Sequence, residues 1–347
     1  MTLRIPERSS SWLVDWHRVT VMGCTMRPPR DPDDDDDDED EDAEPDDDLG
    51  AALSRIAGET GAFLAVTNGP DDVLWLEGRM LRRSPVFTVA AVAIARLGGR
   101  AALAGPLGGP AGEDSNGDHV LAALAREGVD CTGCPRRAGV STALSAIFID
   151  ARGDRVIVTY RDERLEAMLP DDPTGLVASV DAVLADNRFP DFVRPICLAA
   201  RDRGLPVVLD ADRPTQMSDD LFRIATHVVF SSECLRATTG LDDLAAALDR
   251  MADRTSSFLA VTQGAQDVLW REGVTLRRSP VFAVKAVDTL GAGDIFHGAF
   301  ALALAEGKAE IAAMRFAAAA AGLKCTRLGG SAGAPHRAEV DALLATP

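Results

Sequence analysis

From residue 90 onward, short apolar segments alternate with helical patterns, and this alternation limits the possible folds more than any other feature of the chain. The apolar segments include VDAVLAD, PVVLDAD and THVVFS, and amphipathic stretches such as FVRPICLAARDRG separate them. Because each apolar segment is followed by a helix that can cross back over a sheet, the pattern predicts a doubly wound α/β fold. Its sheet should be mainly parallel and flanked by helices. One pair of segments, 143–150 and 155–160, instead predicts a β-hairpin around Gly153.

The stretch 286–306, AVDTLGAGDIFHGAFALALAE, joins a short strand, a glycine-rich turn and a helix. Gly291 and Gly293 carry no Cβ, so the amides of Gly291, Ala292 and Gly293 can close on an anion beside the helix N-terminus. Asp294 lies where a transferring phosphoryl group would be, and its carboxylate can accept a proton from an attacking hydroxyl. Taken alone, the pattern GxGD fits a glycine turn with a capping aspartate as well as it fits a phosphate site with a base. The dinucleotide fingerprint is disfavoured and the P-loop pattern is absent.

The run DTLGAGDIFHGAF, residues 288–300, resembles the C-terminal signature of the ribokinase-like (PfkB) carbohydrate kinases. Further similarity in LPVVLDAD, FLAVTQGAQDVLW and the C-terminal tail extends the resemblance over roughly residues 90–347. The resemblance implies a ribokinase-like kinase domain with Asp294 as catalytic base and Gly291, Ala292 and Gly293 as the anion hole. It implies ATP and Mg²⁺ as cofactors and a sugar-like small molecule as partner, with neither nucleic acid nor membrane involved.

The same resemblance implies a set of nucleotide-binding residues. These are Thr262, Gly264, Asp288, Thr289 and Ser231. Thr262 and Gly264 begin a T-x-G-x-x-G pattern whose last glycine is replaced by Asp267.

In the family's N-x-x-E helix entry, this chain has Ser231 and Cys234 at the two key positions. A thiol does not replace a carboxylate at a hard cation, so Glu233, which precedes Cys234, is the candidate metal ligand. Magnesium is expected with ATP, and its protein ligands are left open.

Polar residues elsewhere are weaker candidates. Tyr160 and Arg161, at the predicted hairpin, can reach a polar or anionic substrate, although an edge-strand tyrosine and a solvated arginine are favoured over substrate contact. Asp210 and Asp212, at a strand end, fit ligand contact or turn capping equally. For His297, one turn into the catalytic helix, a structural contribution is favoured over acid–base catalysis.

Residues 47–89 recur at 242–284 with 29 identities in 43 positions. Two copies this far apart cannot stack as neighbouring repeats, so the pattern indicates a duplicated segment. The first copy, residues 49–89 in the predicted organisation, stands where family members carry substrate-binding and lid elements, so the small β lid is expected to be incomplete. Either the copy, through Phe63 to Thr67, replaces the missing sheet edge in a working kinase, or it leaves a nucleotide-binding pseudokinase.

The net charge of −18 comes mainly from residues 31–48, which contain 15 Asp and Glu; without that run it would be −3. Residues 1–48 are therefore predicted to be a disordered, acidic segment, with a solvated linker favoured over a binding site for basic partners or divalent ions.

Cys131 and Cys134 form a lone C-x-x-C, for which reduced thiols are favoured over metal or redox chemistry. We expect a cytoplasmic protein and allow for a homodimer.

Overall fold

The computed structural model of the chain describes residues 64–67, 73–77, 80–84, 88–149, 155–160 and 162–346. Within the strands of 64–84 and of 144–160 it describes the backbone alone. The segment 1–48, predicted to be disordered, lies outside the described residues. So do the residues of the duplicated segment 49–89 that precede, separate or follow its three strands, up to residue 87.

The strands are numbered in chain order. They are β1 (Leu64–Thr67), β2 (Val73–Glu77), β3 (Met80–Ser84), β4 (Ala102–Ala104), β5 (Leu107–Gly108), β6 (Asp130–Gly133), β7 (Arg136–Arg137), β8 (Leu144–Ile149), β9 (Arg155–Tyr160), β10 (Val183–Asp186), β11 (Val207–Ala211), β12 (His227–Ser231), β13 (Phe258–Gln263), β14 (Gln266–Glu272) and β15 (Thr275–Ser279).

The helices are numbered in the same way. They are α1 (Val89–Arg96), α2 (Ser115–Arg126), α3 (Glu163–Glu166), α4 (Pro173–Leu176), α5 (Pro190–Asp202), α6 (Leu221–Ile224), α7 (Ser232–Thr239), α8 (Leu244–Ala252), α9 (Ala292–Ala305), α10 (Glu310–Cys325) and α11 (Arg337–Leu344), with a 3₁₀ turn at Ser331–Gly333. In the part of the chain that is described, no helix is long and apolar enough to cross a membrane.

The largest sheet has the order β10-β11-β12-β13-β14-β15. Its first four strands are parallel, and β14 and β15 extend it as an antiparallel meander. This arrangement confirms the predicted doubly wound, mainly parallel α/β fold. Two short parallel pairs, β4 with β6 and β5 with β7, lie outside this sheet.

The parallel strands are covered on both faces, as their nearly continuous apolar sequences indicate. In β12, Val229 belongs to one buried cluster, whereas Val228 and Phe230 belong to another. Alternate residues of a strand point to opposite faces, so the two clusters lie on the two sides of the sheet. The first includes residues of α1, α9 and α10, and the second includes residues of α5, α7 and α8.

The duplicated segment forms part of a second, antiparallel sheet with the order β3-β2-β1-β8-β9. Strands β8 and β9 form the hairpin predicted around Gly153. Strands β1 to β3 have the register of β13 to β15, since Ala65 pairs with Trp75 as Ala260 pairs with Trp270. However, β1 pairs with β8, and it therefore lies in this sheet instead of at the edge of the parallel one.

Helix α9 runs through the interior, and all ten residues from Ile295 to Leu304 are buried. It crosses α1 at Gly298, where an added Cβ would lie 2.6 Å from the carbonyl oxygen of Ala90. Backbone cannot move aside as a flexible side chain can, so the close approach of these two helices requires glycine at 298.

We therefore expect Gly298→Ala to lower the free energy of unfolding by about 1–3 kcal/mol through overpacking. Gly322→Ala in α10 is the matched control, because its new Cβ would meet atoms only at 3.6 Å or beyond. The control should be neutral or stabilising by about 0.5–1 kcal/mol, since alanine is the better helix former. Urea denaturation of both variants measures the difference, and equal effects would contradict the packing argument.

Candidate active site

Several predicted nucleotide-binding residues lie at the carboxyl edge of the parallel strands. Ser231 is the last residue of β12 and lies beside Thr262 of β13 in the register of the sheet. Gly264 follows β13 with a left-handed φ of 62°, which glycine adopts without strain. Ligands of open α/β sheets bind at this edge, so these three residues are placed where a nucleotide would be expected.

The glycine turn leads directly into α9. The short strand predicted just before the turn is not formed, since the described residues 280–291 contain no strand. Gly291 is the N-cap of that helix with φ of 76°, and an added Cβ would lie 3.2 Å from Cγ1 of Val89. The left-handed φ therefore favours glycine at 291, and the nearby Val89 side chain leaves little room for a Cβ. At exposed Gly293, an added Cβ would meet no heavy atom of the described residues within 4 Å. The start of α9 thus borders open space, which suits an anion held by the helix N-terminus.

Asp294 lies in the first turn of α9 and is half-buried. Burial raises the pKa of its carboxyl group, and the carboxylates of Asp212 and Asp186 raise it further. Arg188 and His297 act in the opposite direction and lower that pKa. A carboxylate whose pKa is moved toward neutrality is a better proton acceptor for a hydroxyl than an ordinary aspartate.

His297 connects α9 to two strands of the sheet. Its Nδ1 lies 2.7 Å from the carbonyl oxygen of Gly293 and 3.4 Å from Oδ2 of Asp210, and its Nε2 lies 3.3 Å from the carbonyl oxygen of Val229. The imidazole is 3% exposed. These contacts support the structural contribution favoured for His297.

Asp210, in β11, is 8% exposed. Burial raises the pKa of this carboxyl group to about 7, with Asp294 and Asp212 adding to the increase and His297 and Arg188 opposing it. A neighbour of the proposed base thus carries a carboxyl group that titrates near neutral pH.

Arg188 joins the ends of β10 and β11. Its guanidinium contacts Asp186 at 3.1 Å and also forms an ion pair with Asp212. Burial lowers the pKa of Arg188, but Asp186, Asp212 and Asp294 outweigh that effect, so the pKa is raised. The arginine therefore stays charged among carboxylates that would otherwise repel one another.

Two carboxylate oxygens at this edge, Oδ1 of Asp210 and Oδ1 of Asp212, are buried and have no hydrogen-bond partner among the described residues. Such oxygens are costly unless a ligand, a cation or water satisfies them. The sequence placed Asp210 and Asp212 at a strand end that could contact a ligand, and these orphan atoms support that alternative over turn capping.

The residues predicted to order magnesium are arranged differently. Ser231 is the N-cap of α7, and its hydroxyl accepts a hydrogen bond from the amide of Cys234 at 3.1 Å. Cys234 is buried, and burial raises the pKa of its thiol to about 11. Glu233 is exposed. Within the described ranges, no group of three or more His, Cys, Asp or Glu is arranged to hold a metal ion by protein ligands alone.

Asp288 organises the approach to the glycine turn. Its Oδ1 accepts a hydrogen bond from the amide of Leu290 at 2.8 Å, and its Oδ2 accepts one from the amide of Gly329 at 3.0 Å. The carbonyl oxygen of Thr289 accepts from the amide of Ala292 at 3.2 Å. Both residues therefore shape the turn that precedes the anion site.

The two predicted substrate residues are not brought to this edge by any described contact. Tyr160 is the last residue of β9 and pairs with Leu144, but its side chain is outside what is described. Arg161 lies outside the described residues altogether.

Asp186 and Arg188 were not among the site residues predicted from the sequence. Both belong to DNR, the polar triplet that follows the apolar segment VLA. The available signal was this polar triplet at the carboxyl end of a predicted parallel strand, next to the strand that ends in Asp210 and Asp212.

Comparison with known proteins identifies the family to which the chain belongs. Residues 89–337 match the family model described as pfkB family carbohydrate kinase. A ribokinase of Bacillus subtilis (strain 168) is 30% identical over 257 residues, which cover 73% of this chain and 85% of the relative.

Solved structures show the same fold. The crystal structure of a putative ribokinase from Agrobacterium tumefaciens is 37% identical, with a TM-score of 0.72 over 81% of this chain and 94% of that one. Arabidopsis thaliana ribokinase, solved with ribose and ATP, is 24% identical, with a TM-score of 0.67 over 77% and 89% of the two chains. The similarity to the Arabidopsis structure, at 24% identity, shows the fold alone.

The raised pKa of Asp210 predicts how stability depends on pH. Between its ordinary value of 3.8 and about 7, the folded protein keeps a proton that the unfolded chain has lost. Stability should therefore fall as pH rises through this window, and the full penalty is present above it. Asp210→Asn removes the ionisable group, so above neutral pH its free energy of unfolding should exceed that of wild type. The gain should be at most about 4 kcal/mol, because each pKa unit corresponds to about 1.36 kcal/mol.

Urea denaturation at about pH 5 and about pH 8 measures this difference, since the two values lie on either side of the folded pKa. Asp253→Asn, at an exposed position in the same chain, is the control and should show no such pH-dependent gain. A constant difference between Asp210→Asn and wild type at both pH values would contradict the prediction.

Proposed function

We propose that this chain, which belongs to the pfkB family of carbohydrate kinases, transfers the γ-phosphoryl group of ATP to a hydroxyl of a sugar or sugar-like small molecule. The observation that carries the proposal is the position of Asp294. Its carboxylate lies in the first turn of α9, directly after the glycine turn and beside open space at Gly293. A proton acceptor next to an anion site is the arrangement that phosphoryl transfer to an alcohol requires.

In this proposal the acceptor hydroxyl lies between Asp294 and the terminal phosphoryl group. Asp294 takes the hydroxyl proton as the hydroxyl oxygen attacks the γ-phosphorus in line, and its raised pKa suits that transfer. The bond between the γ-phosphorus and the bridging oxygen of ATP breaks as the new bond forms, so ADP leaves with that oxygen. The amides of Gly291, Ala292 and Gly293 stabilise the negative charge on the phosphoryl oxygens. Arg188 adds a half-buried positive charge near the base, where its ion pairs with Asp186 and Asp212 hold it in place.

Magnesium fits this site through Asp210 of β11 and through Asp212, which follows that strand. Mg²⁺ is usually bound by one or two carboxylates together with nucleotide phosphates, and Asp210 and Asp212 each offer a buried oxygen that has no hydrogen-bond partner among the described residues. We therefore assign these two residues, in preference to exposed Glu233, as the protein ligands. When bound with ATP, the ion would neutralise phosphate charge.

Thr262, Gly264, Asp288, Thr289 and Ser231 stay proposed nucleotide-binding residues, and Tyr160 and Arg161 stay proposed substrate contacts. A cytoplasmic location and a homodimer are likewise proposals, the first suited by the thiols of Cys131, Cys134, Cys197 and Cys234, which form no disulfide among the described residues.

A second candidate is a nucleotide-binding pseudokinase. It is favoured by one observation at α7, where Cys234 stands in place of a carboxylate and the Ser231 hydroxyl is used as a helix cap. Assaying ATP consumption with a panel of sugars, nucleosides and sugar phosphates distinguishes the candidates, since robust phosphorylation of any one excludes the pseudokinase.

For the kinase, we expect Asp294→Asn to lower kcat by about 10²–10⁴-fold, because the amide is nearly isosteric but cannot accept the hydroxyl proton. ATP affinity should change little, since the backbone amides of the anion site are unaltered. Steady-state kinetics and calorimetric titration with ATP measure the two effects.

The matched control is Asp202→Asn, the same chemical change at an exposed helix end. It should leave both quantities as in wild type. Turnover like that of wild type in Asp294→Asn would overturn the assignment of Asp294 as the base.

A further inference from the structure

The chain contains three lysines, Lys285, Lys308 and Lys324. Lys324, near the end of α10, has a side chain that is 0% exposed. Complete burial of an ammonium group is costly unless anionic and polar groups surround it. A fully buried lysine next to the proposed phosphate site therefore calls for a functional explanation.

The Lys324 ammonium group is surrounded by oxygen atoms. Its Nζ donates to Oδ2 of Asp288 at 2.8 Å, to the carbonyl oxygen of Asp288 at 2.9 Å and to the carbonyl oxygen of Arg327 at 3.4 Å. These acceptors come from two separate segments, the turn before α9 and the segment after α10. The ammonium group thus joins the two segments by charge-assisted hydrogen bonds.

The contacts of Lys324 continue into the glycine turn. The Asp288 carboxylate that it binds also accepts hydrogen bonds from the amides of Leu290 and Gly329. The amides of Val287 and Asp288 donate to the carbonyl oxygen of Cys325, the residue after Lys324. The backbone that leads into Gly291 is therefore fixed by Asp288, whose carboxylate is in turn held by Lys324.

We propose that Lys324 is a positioning residue whose ammonium group serves as an internal cation for the phosphate site. It holds Asp288, and through Asp288 it holds the amides of Gly291 to Gly293 where they meet the terminal phosphoryl group of ATP. The inference rests on the proposed function for the identity of that anion. Lys324 does not itself touch the nucleotide.

A purely structural anchor for the end of α10 would have different consequences. Loss of such an anchor would lower the stability of the fold. It would leave ligand affinities unchanged or weaken the binding of all ligands to the same extent. A positioning residue for the anion site should instead matter most for the ligand that carries the terminal phosphoryl group.

The test compares ATP with ADP, which lacks only that group, by calorimetric titration of wild type and Lys324→Met in the presence of Mg²⁺. We expect Lys324→Met to weaken ATP binding by about tenfold or more, the size of a lost charge-assisted contact. ADP binding should change by less than about threefold, within the usual context dependence of such contacts. Lys308→Met, the same substitution at a partly exposed lysine, is the control and should leave both affinities unchanged.

A second variant tests the cation directly. Lys324→Ala leaves the oxygens of Asp288 and Arg327 facing space once filled by the ammonium group. Ammonium chloride should restore ATP affinity to this variant, whereas sodium chloride at equal ionic strength should restore less. Wild type should show no such gain with ammonium.

Equal losses of ATP and ADP affinity, or no loss at all, would overturn the proposal, as would absence of rescue by ammonium. If Lys324→Met fails to fold, the double variant Lys324→Met with Asp288→Asn removes both charges. If this double variant bound ATP with the affinity of wild type, the proposal would likewise be overturned. Wild type that binds ATP but phosphorylates nothing overturns only the kinase assignment. Wild type that does not bind ATP overturns both.

Discussion

The contacts of one buried histidine hold the site together. His297 links the first turn of α9 to β11 through Asp210 and to β12 through the carbonyl oxygen of Val229. Because Asp294 lies one helical turn away, its position above the sheet depends on these contacts. The glycine turn, the proposed base and the strand ends therefore act as one unit, although they come from separate parts of the sequence.

Charge is concentrated at this unit in a way that works against stability. Four aspartates, Asp186, Asp210, Asp212 and Asp294, share one arginine and one histidine, and burial raises the pKa of both Asp210 and Asp294. Replacing such groups with apolar residues commonly stabilises a protein. Such an accumulation beside an anion site is typical of catalytic centres, where burial and neighbouring charges shift the pKa values of carboxyl groups.

Local patterns were enough to predict the sheet, the β8–β9 hairpin and the glycine turn. The alternation of apolar and helical segments predicted the parallel sheet, and DTLGAGD predicted the turn before α9. The contacts of Arg188 and Lys324 could not be predicted, because each joins segments that only the tertiary fold brings together. The pairing of β1 with β8 was missed for the same reason, since FLAVT has the same local preference in both copies.

The duplication also affects how the chain can fold. Strands β1 to β3 and β13 to β15 are nearly identical meanders, so each is a candidate for the place beside β12 while the sheet is assembled. Arg271 of β14 forms an ion pair with Asp249 of α8, whereas the first copy has Leu76 and Ser54 at these positions. That pair belongs to the second copy alone, and it favours the correct meander. Repeated segments of this kind can exchange during folding, within one chain or between two chains, and such exchange is a characteristic failure of proteins with repeats.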